Sequence, residues 1–214
     1  MTNQDGRPDP LLATQMDELR HRLRNHLQNM ISLISLQIRR ARNEETIAAL
    51  EVLRARFASI TSIYIDLDDS SDHPVALEKF VPDLVRRIGD LYDPGGAHRA
   101  TFRLTPLTLS GQRAAILGQI VVELTMNVYR HAFAGRTGGR IEVELSIADN
   151  EALLVIADDG PGLRQPDQSR KHFGFTIAAG LAKGLGGTFE HESLGGLVTR
   201  VRFPRECGGS SNLP

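Results

Sequence analysis

Leu12, Met16, Leu19, Leu23, Leu27, Met30, Ile34 and Ile38 recur at steps of four and three. This spacing puts them on one stripe of a helix of about 30 residues. Asp9-Pro10 has the form of a helix start, with Asp as N-cap and Pro at the first helical position. A polar stretch at 41–45, containing "RNEE", predicts a turn. A second stripe follows at Ile47, Leu50, Leu53, Phe57, Ile60, Tyr64 and Leu67. Two amphipathic helices with a short connection predict an antiparallel hairpin. One hairpin has too little bulk to bury both stripes, so pairing with a second copy into a four-helix bundle is expected.

The segment "DDSSDHP" (68–74) reads as a linker, and the pattern changes after it. A helix is predicted over 77–92, a turn at "DPGG", a strand over 100–104, and a helix over 110–133 with Ser110 as N-cap. Ile141, Val143, Leu145 and Ile147 alternate as in a half-buried strand, Asp149-Asn150 turns the chain, and 153–157 forms the return strand. Residues 173–185 read as a helix capped by Gly186-Gly187, and 188–192 with 197–203 as a hairpin through Gly195-Gly196. The fold class is therefore α+β: a helical hairpin over 10–72, then an α/β sandwich over 73–204 with its helices on one sheet face. The polar ends, 1–9 and 205–214, are expected to be disordered.

Composition narrows the function. A net charge of −1 argues against broad electrostatic attraction to nucleic acid or a membrane surface. With three tyrosines, eight phenylalanines and no tryptophan, little surface is offered for stacking bases. No apolar run approaches the roughly 18–20 residues of a membrane span, and the polar N-terminus has no signal-peptide pattern. Cys207 stands alone, which excludes an internal disulfide framework and fits a reducing cytoplasm. No Cys/His cluster supports zinc.

Three motifs carry candidate chemistry. In "VIADDGPGL" a strand ends in Asp158-Asp159 and enters Gly160-Pro161-Gly162. A carboxylate at that point can accept a hydrogen bond from an exocyclic amine such as adenine's, and the glycines let the backbone pass close to a nucleotide. The alternative for this motif is a simple turn. In "ELTMNVYRHAF", helical spacing puts Glu123, Asn127 and Arg130/His131 on one face. Oxygen ligands and cations together suit Mg²⁺ and phosphate, although a solvated polar face would read the same. In "FGFTIAAGLAKGLGG", Gly174 opens a helix whose free N–H groups can meet phosphate, or merely starts a glycine-capped core helix.

Order and spacing distinguish these readings. An Asn-bearing helix, a hairpin ending in Asp-x-Gly-x-Gly, a short loop and a glycine-capped helix together resemble the Bergerat (GHKL-type) ATP-binding domain of histidine kinases and gyrase B. The opening "HRLRNHLQNMISLISLQ" is similar to the H-R-x-K-N-N-L-Q phosphoacceptor box of a two-component histidine kinase subclass related to the HWE kinases. The resemblance covers residues 17–204. A strict HWE kinase is not expected, because its Trp-x-Glu signature needs a tryptophan. Arg24 replaces the box lysine, His26 its second Asn and Arg130 a lysine, while Leu197 stands where Thr often follows the glycine pair.

The resemblance implies His21 as phosphoacceptor, Asn127 as Mg²⁺ ligand, and Glu123 as a polar or general-base partner near the phosphates. It implies Asp158 as the adenine-recognising carboxylate and Gly160, Gly162 and Gly174 as nucleotide glycines. It implies Arg130 and His131 as nucleotide-binding residues, with a mere helix end as the alternative for His131, and 164–172 as a nucleotide lid carrying Arg164, Arg170 and Lys171 as phosphate-reaching cations. The activity implied is an ATP- and Mg²⁺-dependent autokinase, homodimeric and cytoplasmic, that passes phosphate to a response-regulator receiver domain and takes its input from a separate sensor or input protein, or from a segment absent from this chain. No nucleic acid and no membrane insertion are expected. The competing reading is a phosphotransfer or phosphatase protein with a degenerate ATP domain. An anti-sigma Ser/Thr kinase is a third, which would not need the His21 hairpin.

His21 lies two residues beyond Leu19, roughly 200° around the helix, and is expected to point away from the bundle. Glu18, three residues earlier, is a candidate general base, with Asp17 competing. His26 lies about 140° from His21, near the stripe, and is expected to be a packed or hydrogen-bonded structural residue. His73, His98, His172 and His191 read as surface or lid.

Overall fold

A computed structural model of the chain describes residues 10–68, 74–163, 173–193 and 195–205, with side chains on the first two helices described at Glu18, Arg22, 25–58 and Thr61. The chain forms two compact units, Met1–Asp69 and Ser70–Pro214. Among the described residues no helix is long and apolar enough to cross a membrane. The polar ends 1–9 and 206–214 lie outside the described residues, as does the N-cap expected at Asp9.

The first unit is the antiparallel hairpin of α1 (Pro10–Arg40) and α2 (Glu44–Asp68). The turn is tighter than the polar stretch suggests, because Glu44 and Glu45 belong to the first turn of α2. Asn43 starts that helix: its side-chain oxygen accepts the Thr46 N–H at 3.1 Å and its carbonyl accepts Ile47 N–H at 3.0 Å. Arg39 and Arg40 close α1 while Glu44 and Glu45 open α2, so each charge meets the favourable end of a helix dipole. Ile34, Ala55 and Thr61 are buried between the helices. Met30, Leu33, Leu36 and Leu53 are exposed, Leu33 at 61%.

The second unit begins with β1 (Val75–Ala76), which pairs with β3 (Thr108–Leu109) in a two-stranded sheet too short for periodicity to reveal. Between them run α3 (Leu77–Tyr92) and β2 (His98–Leu104). Leu77, Val81, Leu84, Val85 and Ile88 give α3 one buried stripe. Next come α4 (Gly111–Asn127), a π-helical turn at Val128–Ala132, and the hairpin β4 (Gly139–Ala148) and β5 (Glu151–Asp158). Asp149 takes φ +53 in its two-residue turn, a conformation Asp tolerates. The chain ends with α5 (Phe173–Gly184), β6 (Thr188–Ser193) and β7 (Leu197–Pro204).

The five-stranded sheet has the order β2-β4-β5-β7-β6, with β2 parallel to β4 and the other pairs antiparallel. A parallel pair needs a long crossover, and α4 with its π-turn supplies it. Ile141, Val143, Leu145, Ala152, Leu154, Ile156, Val201 and Phe203 alternate along their strands and are all buried, so one sheet face forms the core under the helices. The other face carries Arg103–Glu144 at 3.0 Å, Arg140–Glu142 at 2.9 Å and Arg200–Glu192 at 3.2 Å. Each exposed pair is worth only about 0–1 kcal/mol, but the long stems cover the sheet.

Removing the Asn43 cap tests the hairpin: Asn43→Ala is expected to lower its stability by about 1 kcal/mol in urea denaturation, whereas Asn43→Ser should lose much less.

Candidate functional site

α4 is buried along most of its length, through Ala114, Leu117, Ile120, Val121 and Leu124, and cannot shift without opening the core. At its C-terminus the helix widens. Phe133 N–H donates to Val128 C=O at 3.1 Å, an i→i+5 bond. π-Turns insert one residue into a helix and recur at functional sites. The insertion corrects the helical-face reading of Glu123, Asn127, Arg130 and His131, because a regular 3.6-residue spacing ends at Asn127. Glu123 is buried, and Asn127 and His131 line a pocket, whereas Arg130 is half-buried outside its lining.

That pocket is lined by Asn127, His131, Ala132, Asp158, Gly162, Leu163, Phe175 and Leu197. Residues separated by up to 70 positions thus meet where β5, the π-turn and the first turn of α5 converge. Asp158 Oδ1 accepts N–H bonds from Gly160 at 2.8 Å and Leu197 at 3.3 Å. Burial nevertheless pushes the carboxyl above the usual carboxylate range, with Asp159 adding to the shift and the two backbone donors and Arg136 opposing it. A carboxylate kept half-desolvated at a pocket wall is costly unless it has a ligand to receive.

Close approach explains the glycines. A Cβ on Gly174 would lie 2.6 Å from Asn127 Nδ2, so α5 starts directly against the asparagine amide. A Cβ on Gly160 would lie 2.5 Å from that of Ala132. Gly162 has φ +69, in the left-handed region that disfavours side chains, and it too is tightly packed, against Ser193. Ser193 carries no sequence signal of function, and Ala132, Leu163 and Phe175 stand inside the three motifs without a role of their own in them. Ser193 Oγ accepts Leu163 N–H at 3.1 Å and donates to Gly196 C=O at 3.2 Å, fastening the glycine corner to the β6–β7 turn. Arg136 is a second such fastener. Its Nη1 donates to Asp159 C=O at 2.8 Å and Asp159 Oδ1 at 3.2 Å, linking the segment after the π-turn to the end of β5.

Lys171, Arg164 and Arg170, with the rest of the expected lid, lie outside the described residues. His21 is in the helical backbone of α1, and its side chain, including the expected outward direction, also lies outside them. Glu18 is exposed and paired with Arg22 one turn on. His26 corrects the packed-histidine reading: it is exposed, because the hairpin buries a narrower strip of α1 than the full stripe. His98 likewise departs from the surface reading, with a side chain only 10% exposed.

Among the described residues no group of three or more His, Cys, Asp or Glu side chains could hold a metal alone. Mg²⁺ needs no such cage, since it commonly takes one or two protein oxygens and completes its shell with phosphate and water. The Asn127 amide at the pocket wall, with buried Glu123 one turn behind it, fits that requirement.

Comparison with known proteins follows the two units. Residues 18–92 match the family model described as histidine kinase, and 112–206 match the histidine kinase-, DNA gyrase B- and HSP90-like ATPase. The sensor histidine kinase PdtaS of Mycolicibacterium smegmatis is 31% identical over 147 residues, covering 68% of this chain and 30% of that protein. Blue-light-activated histidine kinase 2 of Erythrobacter litoralis is 25% identical over 185 residues, covering 82% of this chain and 52% of its own length. The chain therefore spans about a third to a half of these curated relatives. The solved histidine kinase domain from Erythrobacter litoralis EL346 blue-light activated histidine kinase superposes with a TM-score of 0.63 at 20% identity, covering 91% of this chain and 94% of that one.

The raised Asp158 carboxyl makes a signed prediction. Ionised Asp158 costs the folded state stability at neutral pH, and the penalty disappears as pH falls far enough to protonate it in both states. Asp158→Asn should therefore melt at or above the wild-type temperature at pH 7, with the difference closing below about pH 4. A calorimetric melt across that range checks it, and a large loss of stability at pH 7 would refute the account.

Proposed function

Since the chain belongs to the histidine kinases, we propose that it autophosphorylates His21 from ATP and passes the phosphoryl group to an aspartate of a response-regulator receiver domain. The observation that carries this reading is the convergence of Asn127, Asp158 and Gly162 on one pocket, in a chain whose other unit is a helical hairpin bearing His21. Asp158 accepts the adenine amine. Leu163, Phe175, Ala132 and Leu197 supply the apolar walls. Asn127 would hold Mg²⁺, which neutralises phosphate oxygens when bound.

The His21 imidazole nitrogen attacks the γ-phosphorus in line. An N–P bond forms, the bond from the γ-phosphorus to the β–γ bridging oxygen breaks, ADP leaves, and the imidazole gives up its N–H proton. Positioning and charge stabilisation account for most of such a step. Glu18 is the proposed acceptor of that proton, with Asp17 as competitor. The Glu18–Arg22 pair must first open, which costs little because an exposed pair is worth about 0–1 kcal/mol. Glu123 backs Asn127 from the buried side of α4. Arg130 and Lys171 are proposed as phosphate-reaching cations, and His131 as a nucleotide contact.

The proposed assembly is a homodimer. Met30, Leu33, Leu36 and Leu53 leave apolar surface on the hairpin that a second copy would bury in a four-helix bundle. Leu33→Glu is expected to shift the protein from dimer to monomer in light scattering at micromolar concentration. An unchanged mass would place the dimer contact elsewhere.

The central test is incubation with γ-labelled ATP and Mg²⁺. The expected product is an acid-labile, alkali-stable label that is absent in His21→Gln and reduced at least about tenfold in Asn127→Ala. Label surviving in His21→Gln would move the acceptor, and failure to bind ATP in calorimetry would favour a phosphotransfer protein with a degenerate ATP domain.

A further inference from the structure

The π-turn has two faces, and only one meets the pocket. His131 and Ala132 line the cavity. Tyr129 and Phe133 point the other way, into an aromatic cluster built from the end of α3 and the start of β2. The Tyr129 ring stacks on Tyr92 at 6.0 Å, and its hydroxyl occupies the space a Cβ on Gly89 would need, 2.9 Å away. Phe133 is buried and stacks face to face on His98, at 4.2 Å between centroids and 12° between planes. Tyr129 closes the cluster edge-on, 5.9 Å from His98 and 5.5 Å from Phe133.

Asp93 fixes the orientation of His98. One carboxylate oxygen accepts the His98 backbone N–H at 2.7 Å and stands 3.0 Å from Nδ1. Neither ring nitrogen makes a well-aligned hydrogen bond among the described residues, so the Nδ1 contact is electrostatic rather than directional. The carboxyl of Asp93 is held below the usual range, chiefly by that backbone N–H. A flat ring at this place covers the whole face of Phe133, which a branched aliphatic side chain of similar volume cannot do. A π-turn has poorer hydrogen-bond geometry than an α-helix and persists where its surroundings over-determine it.

We propose that His98, held by Asp93, is a positioning residue for the nucleotide pocket, an inference that rests on the ATP-binding reading above. The route is short and physical. The His98 ring sets Phe133, Phe133 adjoins Ala132 in the chain, and Ala132 packs against Gly160, whose N–H holds Asp158. A shift of Phe133 therefore moves the π-turn wall and the adenine carboxylate together.

Binding of ADP with Mg²⁺, measured by calorimetry beside the melting temperature, tests this. His98→Leu keeps bulk but not the flat ring, and should bind about tenfold more weakly than wild type while remaining folded. His98→Phe, which keeps the stack, should recover most of the affinity. Leu185→Ala, a buried control just beyond the far end of α5, should lose stability without losing affinity. If His98→Leu does not fold, Phe133→Leu tests the same stack from the other side with the same expected loss. Wild-type affinity in the folded Leu variant, a loss no larger than that of Leu185→Ala, or no recovery in His98→Phe would overturn the proposal. Wild-type protein that binds no ADP would instead remove the nucleotide reading, and this inference with it.

Discussion

The Asp158 carboxylate is the joint on which the second unit turns. One of its oxygens accepts the N–H of Gly160, two residues on, and of Leu197, thirty-nine residues on. Those two bonds tie the end of β5 to the glycine corner and to the start of β7. A half-buried carboxylate is expensive, and its raised proton affinity shows that the donors do not fully compensate. The neighbouring glycines are the geometric consequence: the backbone must come this close for its N–H groups to reach the oxygen. Stability is given up locally in a wall otherwise made of Leu163, Phe175, Ala132 and Leu197.

Around that joint the unit is rigid by construction. α4 lies in the core and cannot move independently of the sheet, and it delivers Asn127 where α5 begins at Gly174. The π-turn then accommodates one extra residue, turning His131 and Ala132 toward the pocket and Tyr129 and Phe133 toward His98. Arg136 and Ser193 fasten the flanking segments from either side. The hairpin unit follows different physics. Its helices meet through a few buried residues and leave Met30, Leu33 and Leu36 in solvent, the apolar surface on which the proposed dimer rests.

Much of this was readable before any coordinates. The steps of three and four in α1, α2 and α3 and the alternation in β4 and β5 reflect which face of each element is buried, and periodicity records that directly. The Asn127, Asp158, Gly162 and Gly174 set was readable because close approach and charge restrict those positions to few residue types. Asn43 as a cap, the π-turn and the β1–β3 pair were not predicted. A cap can be confused with the polar residues around it, a one-residue insertion leaves no mark in a hydrophobic pattern, and two-residue strands have no period.

The histidines show where sequence stops. Helical spacing suggested a packed His26, and nothing near His98 in the chain suggested more than surface or lid; both were reversed, since His26 is exposed while the His98 side chain is largely enclosed. Helical phase measures angle about one axis and says nothing about how wide a strip the partner helix covers. For His98 the deciding neighbours, Phe133 and Tyr129, lie more than thirty residues downstream and arrive through the crossover that makes β2 parallel to β4. Sequence alone determined the longer helices and strands, the helical hairpin ahead of the mixed unit, and the Asn127, Asp158 and Gly162 set that meets at one pocket. Which side chains share a wall, and which histidine lies beneath it, depended on the sheet order and the π-turn, because those contacts form only when distant segments are brought together.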